Sequence, residues 1–161
     1  MFDIEGKVAL ITGATGAFGQ IAATTLGHAG CKLILAGGNQ EALESFTAEL
    51  NESGCDAVAI NKRPDSEGNC DAMVNLAVEK FSKLDILVVG SGMNDVDPIQ
   101  DLSTERWQKV MDANVLGTWQ ICKSAGKQMM AQGNGGKVIL VSSTRGRLGH
   151  PAGYTAYCPS K

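Results

Sequence analysis

The chain has 161 residues, 43% apolar and 19% charged, with a net charge of −3, the balance of a soluble globular protein long enough to bury one core. No basic cluster exceeds Lys62-Arg63 and no apolar run approaches the roughly 20 residues that cross a bilayer, so nucleic acid and membrane are not expected partners and a small molecule is. Cys31, Cys55, Cys70, Cys122 and Cys158 are odd in number and lack metal-ligand spacing, so reduced thiols and no metal are expected.

The chain begins Met1-Phe2-Asp3-Ile4-Glu5, with neither a basic region nor an apolar segment before a cleavage site; a cytoplasmic address is the default expectation. Short apolar runs bounded by polar residues or glycine follow at Val8–Ile11, Leu33–Leu35, Ala57–Ile60, Ile86–Val89 and Val138–Val141. Each reads as a strand buried on both faces. Between them, residues 19–30, 40–53, 69–82 and 104–133 have helical character. Asn39 precedes the second helix, Gly54 follows it, and Ser103 opens the fourth, each a residue suited to its end. Strands alternating with helices predict βαβ units and a parallel sheet. Right-handed crossovers then give a doubly wound α/β sheet of order 3-2-1-4-5 within one domain over residues 1–161, with a crevice where the winding reverses, at the carboxyl ends of strands 1 and 4.

Directly after the first strand comes Thr12-Gly13-Ala14-Thr15-Gly16-Ala17-Phe18-Gly19, leading into a helix. Gly13 allows the tight turn, the small residues Gly16 and Ala17 let backbone approach a pyrophosphate, and Gly19 lets helix and strand pack closely. The helix N-terminus offers free N–H groups to the anion, so residues 13 and 15–19 are expected to bind a dinucleotide. After the second strand, a carboxylate would bind the adenosine ribose and an Arg would pair with a 2′-phosphate. The chain has Gly37-Gly38-Asn39 there; Gly38 and Asn39 become the candidate contacts, and the choice between NAD and NADP stays open.

Near the end, Ser142-Ser143 follow the fifth strand and Tyr157 precedes Lys161 by four residues. On a helix those two share a face, and an ammonium beside a phenol, whose free pKa is about 10, makes it a usable acid and base near neutral pH. With Thr12–Gly19, Asn114, Ser143 and Tyr157-x-x-x-Lys161 in this order, the chain resembles the short-chain dehydrogenase/reductase family from Gly6 to Lys161, with a Rossmann-like fold. Asp85-Ile86-Leu87-Val88 is similar to the family's fourth strand, and Met111–Gly117 to the segment carrying its asparagine.

That resemblance implies an oxidoreductase moving a hydride between NAD or NADP and a secondary alcohol or ketone of polyol, sugar-acid or hydroxy-acyl type. Tyr157 would be the acid/base, Lys161 would lower its pKa and bind the nicotinamide ribose, Ser143 would polarise the substrate oxygen with Ser142 as fallback, and Asn114 would hold a water of the proton relay. It also implies a homodimer or homotetramer. Arg145, Arg147, His150 and Tyr154 are expected to border the substrate pocket, the arginines favouring an anionic or polyhydroxylated substrate. Three departures stand out. Val89-Gly90-Ser91-Gly92 stands where the family has Asn-Asn-Ala-Gly, so Gly90, Ser91 and Gly92 keep the permissive loop beside the cofactor while the amide bracing is lost. The family's adenine-facing Asp falls within Asn61–Ser66, where Asp65 is the candidate and register decides between it and Arg63. Finally, family members continue well past the lysine, so this chain is expected to be part of a longer protein. The altered loop also admits a rival, a nucleotide-binding regulatory protein without chemistry.

Overall fold

Residues 3–161 are described by a computed structural model; Met1 and Phe2, part of the N-terminal reading above, lie outside the described residues. The strands are β1 (Val8–Thr12), β2 (Lys32–Ala36), β3 (Asp56–Ile60), β4 (Ile86–Val89) and β5 (Lys137–Leu140), and the helices α1 (Ala17–His28), α2 (Gln40–Glu52), α3 (Glu67–Phe81), α4 (Thr104–Met111), α5 (Gly117–Ala131) and a final turn α6 (Tyr157–Ser160). The sheet runs β3-β2-β1-β4-β5, parallel throughout, the order that right-handed crossovers predict.

The helix ends follow local chemistry. Asn39 accepts from the Ala42 amide at 3.1 Å and Ser103 from the Arg106 amide at 3.2 Å, as expected of N-caps. Ser66 does the same for Asn69 at 3.2 Å, starting α3 two residues before the predicted Asn69. The predicted fourth helix over 104–133 is broken into α4 and α5 by a π-helical turn at Asp112–Leu116. Such a turn inserts one residue without a sequence mark of its own, and it recurs at functional sites.

Successive strand residues point to opposite faces, and the core divides by that parity. Val8, Leu10, Ile34, Leu87 and Val89 pack with Met73, Val74, Ile121 and Met129 of α3 and α5. Ala9, Ile11, Leu33, Leu35 and Val88 pack with Ala23, Leu43 and Leu50 of α1 and α2. The outer strand β5 departs from the prediction of burial on both faces: Val138, Ile139 and Leu140 are 45–54% exposed, because no further strand or helix among the described residues lies against it. Among the described residues no helix is long and apolar enough to cross a membrane, and no cluster of acidic, His or Cys side chains could hold a metal.

Candidate active site

The phosphate loop joins β1 to α1 through two close approaches. Gly13 has φ of 66°, and a Cβ there would lie 2.7 Å from the Ser91 amide nitrogen. A Cβ on Gly19 would lie 2.8 Å from the Ala14 Cα, so only glycine lets the helix start this near the turn. Thr15 is half-buried, while Gly16, Ala17 and Phe18 face solvent, Phe18 with 70% of its surface free. A backbone cradle of this shape, at the N-terminus of a twelve-residue helix, fits the pyrophosphate of a dinucleotide.

Beside it runs the loop after β4. Its amide bracing, absent from the sequence, has a substitute: the Ser91 and Thr12 hydroxyls are 3.0 Å apart, and the Gly90 amide donates to the Thr12 carbonyl at 3.1 Å. Gly92 is narrow by necessity, since a Cβ there would lie 2.9 Å from Asn114 Oδ1 and 3.5 Å from Lys161 Nζ.

Asn114, on the π-helical turn and buried, is the hub of the site. Its Oδ1 accepts from the Met93 amide at 2.8 Å, and its Nδ2 donates to the Met93 carbonyl at 2.9 Å and to Ser160 Oγ at 2.8 Å. The side chain therefore closes backbone and helix contacts, with one acceptor position of Oδ1 still unused. Its carbonyl accepts from Thr118 Oγ1 at 2.7 Å. Ser160, unmarked in the sequence reading, is the link between Asn114 and α6.

Lys161 is partly buried, and burial alone pushes its ammonium below the usual lysine range. Its Nζ donates to the Val141 carbonyl at 3.0 Å and lies 5.8 Å from the centre of the Tyr157 ring. Ser142 Oγ donates to the Lys161 carbonyl at 3.0 Å, whereas Ser143 Oγ accepts from the Arg145 amide at 3.1 Å. Pro159 sits in α6 two residues after its first residue, where no intrahelical donor is lost. Phe18, Gly90, Gly92, Ser142, Ser143, Tyr157 and Lys161 line one cavity of 550 Å³ with Met93, Asn94, Val141 and Thr144, at the carboxyl ends of β1, β4 and β5. Loop, serine, tyrosine and lysine, far apart in sequence, thus face one space.

Other sequence candidates fall elsewhere. Arg145 lies 5.6 Å over the Tyr154 ring, and His150 packs edge-on against it at 5.1 Å; neither these three nor Arg147 lines the cavity. Asp65 accepts from Asn69 Nδ2 at 2.7 Å at the start of α3, while Arg63 is the residue that reaches Gly38. A further network passed unnoticed in the sequence. Arg106 of α4 donates from Nε to Asp95 Oδ2 at 2.8 Å and pairs with Asp97, whose amide donates to the Gly153 carbonyl at 2.9 Å and whose carbonyl accepts from Thr155 at 3.0 Å. It straps the loop after β4 to the segment leading into Tyr157. Asp95 and Asp97 eleven and nine residues before an Arg carry no periodic signal that would reveal it.

The geometry agrees with known relatives. The chain is 49% identical over 161 residues to an uncharacterised oxidoreductase of Mycobacterium tuberculosis strain H37Rv, covering 99% of this chain and 58% of that protein. It is 30% identical over 158 residues to a sorbitol dehydrogenase of Cereibacter sphaeroides, covering 98% of this chain and 60% of that protein. The crystal structure of a short-chain type dehydrogenase/reductase from Mycobacterium marinum superposes with a TM-score of 0.95 at 29% identity, over 99% of this chain and 65% of that one. That of NAD+-bound xylitol dehydrogenase gives 0.93 at 32%, over 99% and 61%. The chain therefore spans less than two thirds of the length of each of these relatives. The family model for short chain dehydrogenases matches residues 7–161, nearly the whole chain, and the chain belongs to the short-chain dehydrogenase family.

Proposed function

We propose that residues 1–161 form a dinucleotide-binding domain of an NAD(P)-dependent oxidoreductase acting on a secondary alcohol or the corresponding ketone. The observation that carries this reading is the placing of Lys161 Nζ, 5.8 Å from the Tyr157 ring, in the cavity that Ser143, Phe18 of the phosphate loop, and Gly90 and Gly92 after β4 also line. Gly13, Thr15, Gly16, Ala17, Phe18 and Gly19 would hold the pyrophosphate, Gly38 and Asn39 the adenosine end, and Gly90, Ser91 and Gly92 would flank the dinucleotide along β4. Bound there, the nicotinamide would supply or accept the hydride.

The chain's own residues manage the proton and the substrate oxygen. Tyr157 Oη gives its proton to the oxygen of a ketone, or takes one from an alcohol, with the Lys161 ammonium beside its ring. Ser143 donates to the same substrate oxygen. Its hydroxyl accepts from the Arg145 amide, which leaves its hydrogen free, whereas Ser142 has spent its single hydrogen on the Lys161 carbonyl. Asn114 holds the loop after β4 and α6 in register, so its part is to position Tyr157 and Lys161. Among the relatives, the names of the sorbitol and xylitol dehydrogenases speak for a polyol, and that of a 3-oxoacyl-[acyl-carrier-protein] reductase for a hydroxy-acyl compound. Val115, Leu116 and Trp119, exposed together on one side of the helix, support assembly as a homodimer or homotetramer.

Tyr157→Phe tests the reading. Turnover of a polyol panel should fall at least about 100-fold while dinucleotide affinity stays within about twofold. Unchanged turnover would remove Tyr157 from the chemistry, and tight dinucleotide binding with no turnover in either protein would favour a regulatory binding domain.

A further inference from the structure

The turns after β2 and β3 meet at a point outside the sheet. Gly38 has no side chain, and the space it leaves is taken by Arg63: a Cβ on Gly38 would collide with Nε and come within 2.7 Å of Cζ and Nη2. Gly38 is not among the glycines with positive φ, so its role there is room for the guanidinium rather than a special backbone conformation. Adjoining Gly37 faces the phosphate loop, since a Cβ on it would lie 3.6 Å from Thr15 Oγ1.

The turn carrying Arg63 is anchored on both sides. Asn61 Nδ2 donates to Gln40 Oε1 at 3.3 Å, and Pro64 is buried, its carbonyl so close to Gly117 that a Cβ there would approach to 2.5 Å. Arg63 itself is exposed and, among the described residues, enters no salt bridge. Its charged neighbours are engaged elsewhere: Lys62 donates to Asn69 Oδ1 at 2.8 Å and Asp65 accepts from the same amide group at 2.7 Å. No carboxylate occupies residues 36–39 to bind a ribose diol or repel a phosphate.

Resting on the dinucleotide-binding reading above, we propose that Arg63 selects the cofactor: from the turn after β3 it supplies the cation that β2 lacks, pairs with the 2′-phosphate, and makes the chain prefer NADP(H). A guanidinium meets a phosphate through paired N–H donors and keeps its charge at every working pH.

The test is isothermal titration of the 161-residue chain with 2′,5′-ADP and with 5′-AMP, which differ by the phosphate alone and need no turnover. The wild type should bind 2′,5′-ADP at least about tenfold tighter than 5′-AMP, with the ratio shrinking as salt rises. Arg63→Met should bring the ratio to near one, and moving the cation onto β2 with Gly38→Arg in an Arg63→Gly background should restore it. Equal affinities in the wild type, or a ratio untouched by Arg63→Met, would overturn the assignment while leaving nucleotide binding intact. Binding of neither nucleotide would overturn the dinucleotide-binding reading and this assignment with it.

Discussion

Ser142 and Ser143 differ in what their hydroxyls already do, and Ser143 is the more buried of the two. Ser142 is committed as a donor to the Lys161 carbonyl, and Ser143 holds an acceptor bond to the Arg145 amide. Ser143→Ala should therefore lower kcat by about 100-fold with dinucleotide affinity unchanged, the loss typical of removing one donor to a developing oxyanion. Ser142→Ala should cost no more than about tenfold, through looser placing of Lys161. A larger loss from Ser142→Ala than from Ser143→Ala in steady-state kinetics would reverse the two roles. Spacing in the sequence leaves the pair ambiguous because adjacent residues share a strand end; the family resemblance favours Ser143, and the hydrogen-bond partners support that choice.

The elements are held in register by polar contacts at both ends of the sheet. At the amino ends, Asp85 accepts from the Val8 amide at 2.9 Å and pairs with Lys83 at 3.1 Å and Lys7 at 3.7 Å. Burial works against ionisation of Asp85, but the Val8 amide and the Lys83 and Lys7 ammoniums outweigh it and hold the carboxyl below the usual aspartate range. A depressed carboxyl pKa stabilises the fold above the unfolded value of about 3.9, and that contribution disappears as pH falls through the folded value. Wild type should therefore exceed Asp85→Asn in urea denaturation at pH 7, and the gap should close as pH drops below about 4. A gap of constant size would mean that the Asp85 charge contributes nothing. Replacement by Ala, which also strands the Val8 amide, should cost about 2 kcal/mol. At the carboxyl ends, Asn114 on its π-helical turn and the Arg106 strap do the corresponding work beside the cavity.

At the scale of the molecule, apolar surface is left at the sheet's rim. Val138, Ile139 and Leu140 of β5 are exposed beside an unpaired strand edge, the arrangement that invites pairing with another chain. The relatives are longer than this chain, so in them further residues are available to cover such an edge. The 161-residue chain should associate in a concentration-dependent way by sedimentation velocity, and Ile139→Lys should suppress that association by placing a charge on the rim. Undiminished association of Ile139→Lys would point instead to the exposed Val115, Leu116 and Trp119 of the helical face.

Much of this was legible in the chain itself. A parallel sheet follows from apolar runs alternating with helices, because a helix returns the chain to start the next strand in the same direction, and the caps at Asn39 and Ser103 follow from side chains that accept only the amides next to them. The glycine loop is likewise local, a matter of which residue tolerates a tight turn. What no local pattern could supply was the set of contacts between turns that the sheet brings together: Arg63 filling the space of Gly38, Ser160 joining Asn114, and Asp97 tied to both Arg106 and Gly153. Those residues are separated along the chain by spacings that carry no period. Their meeting depends on where parallel strands end, and only the folded sheet determines that.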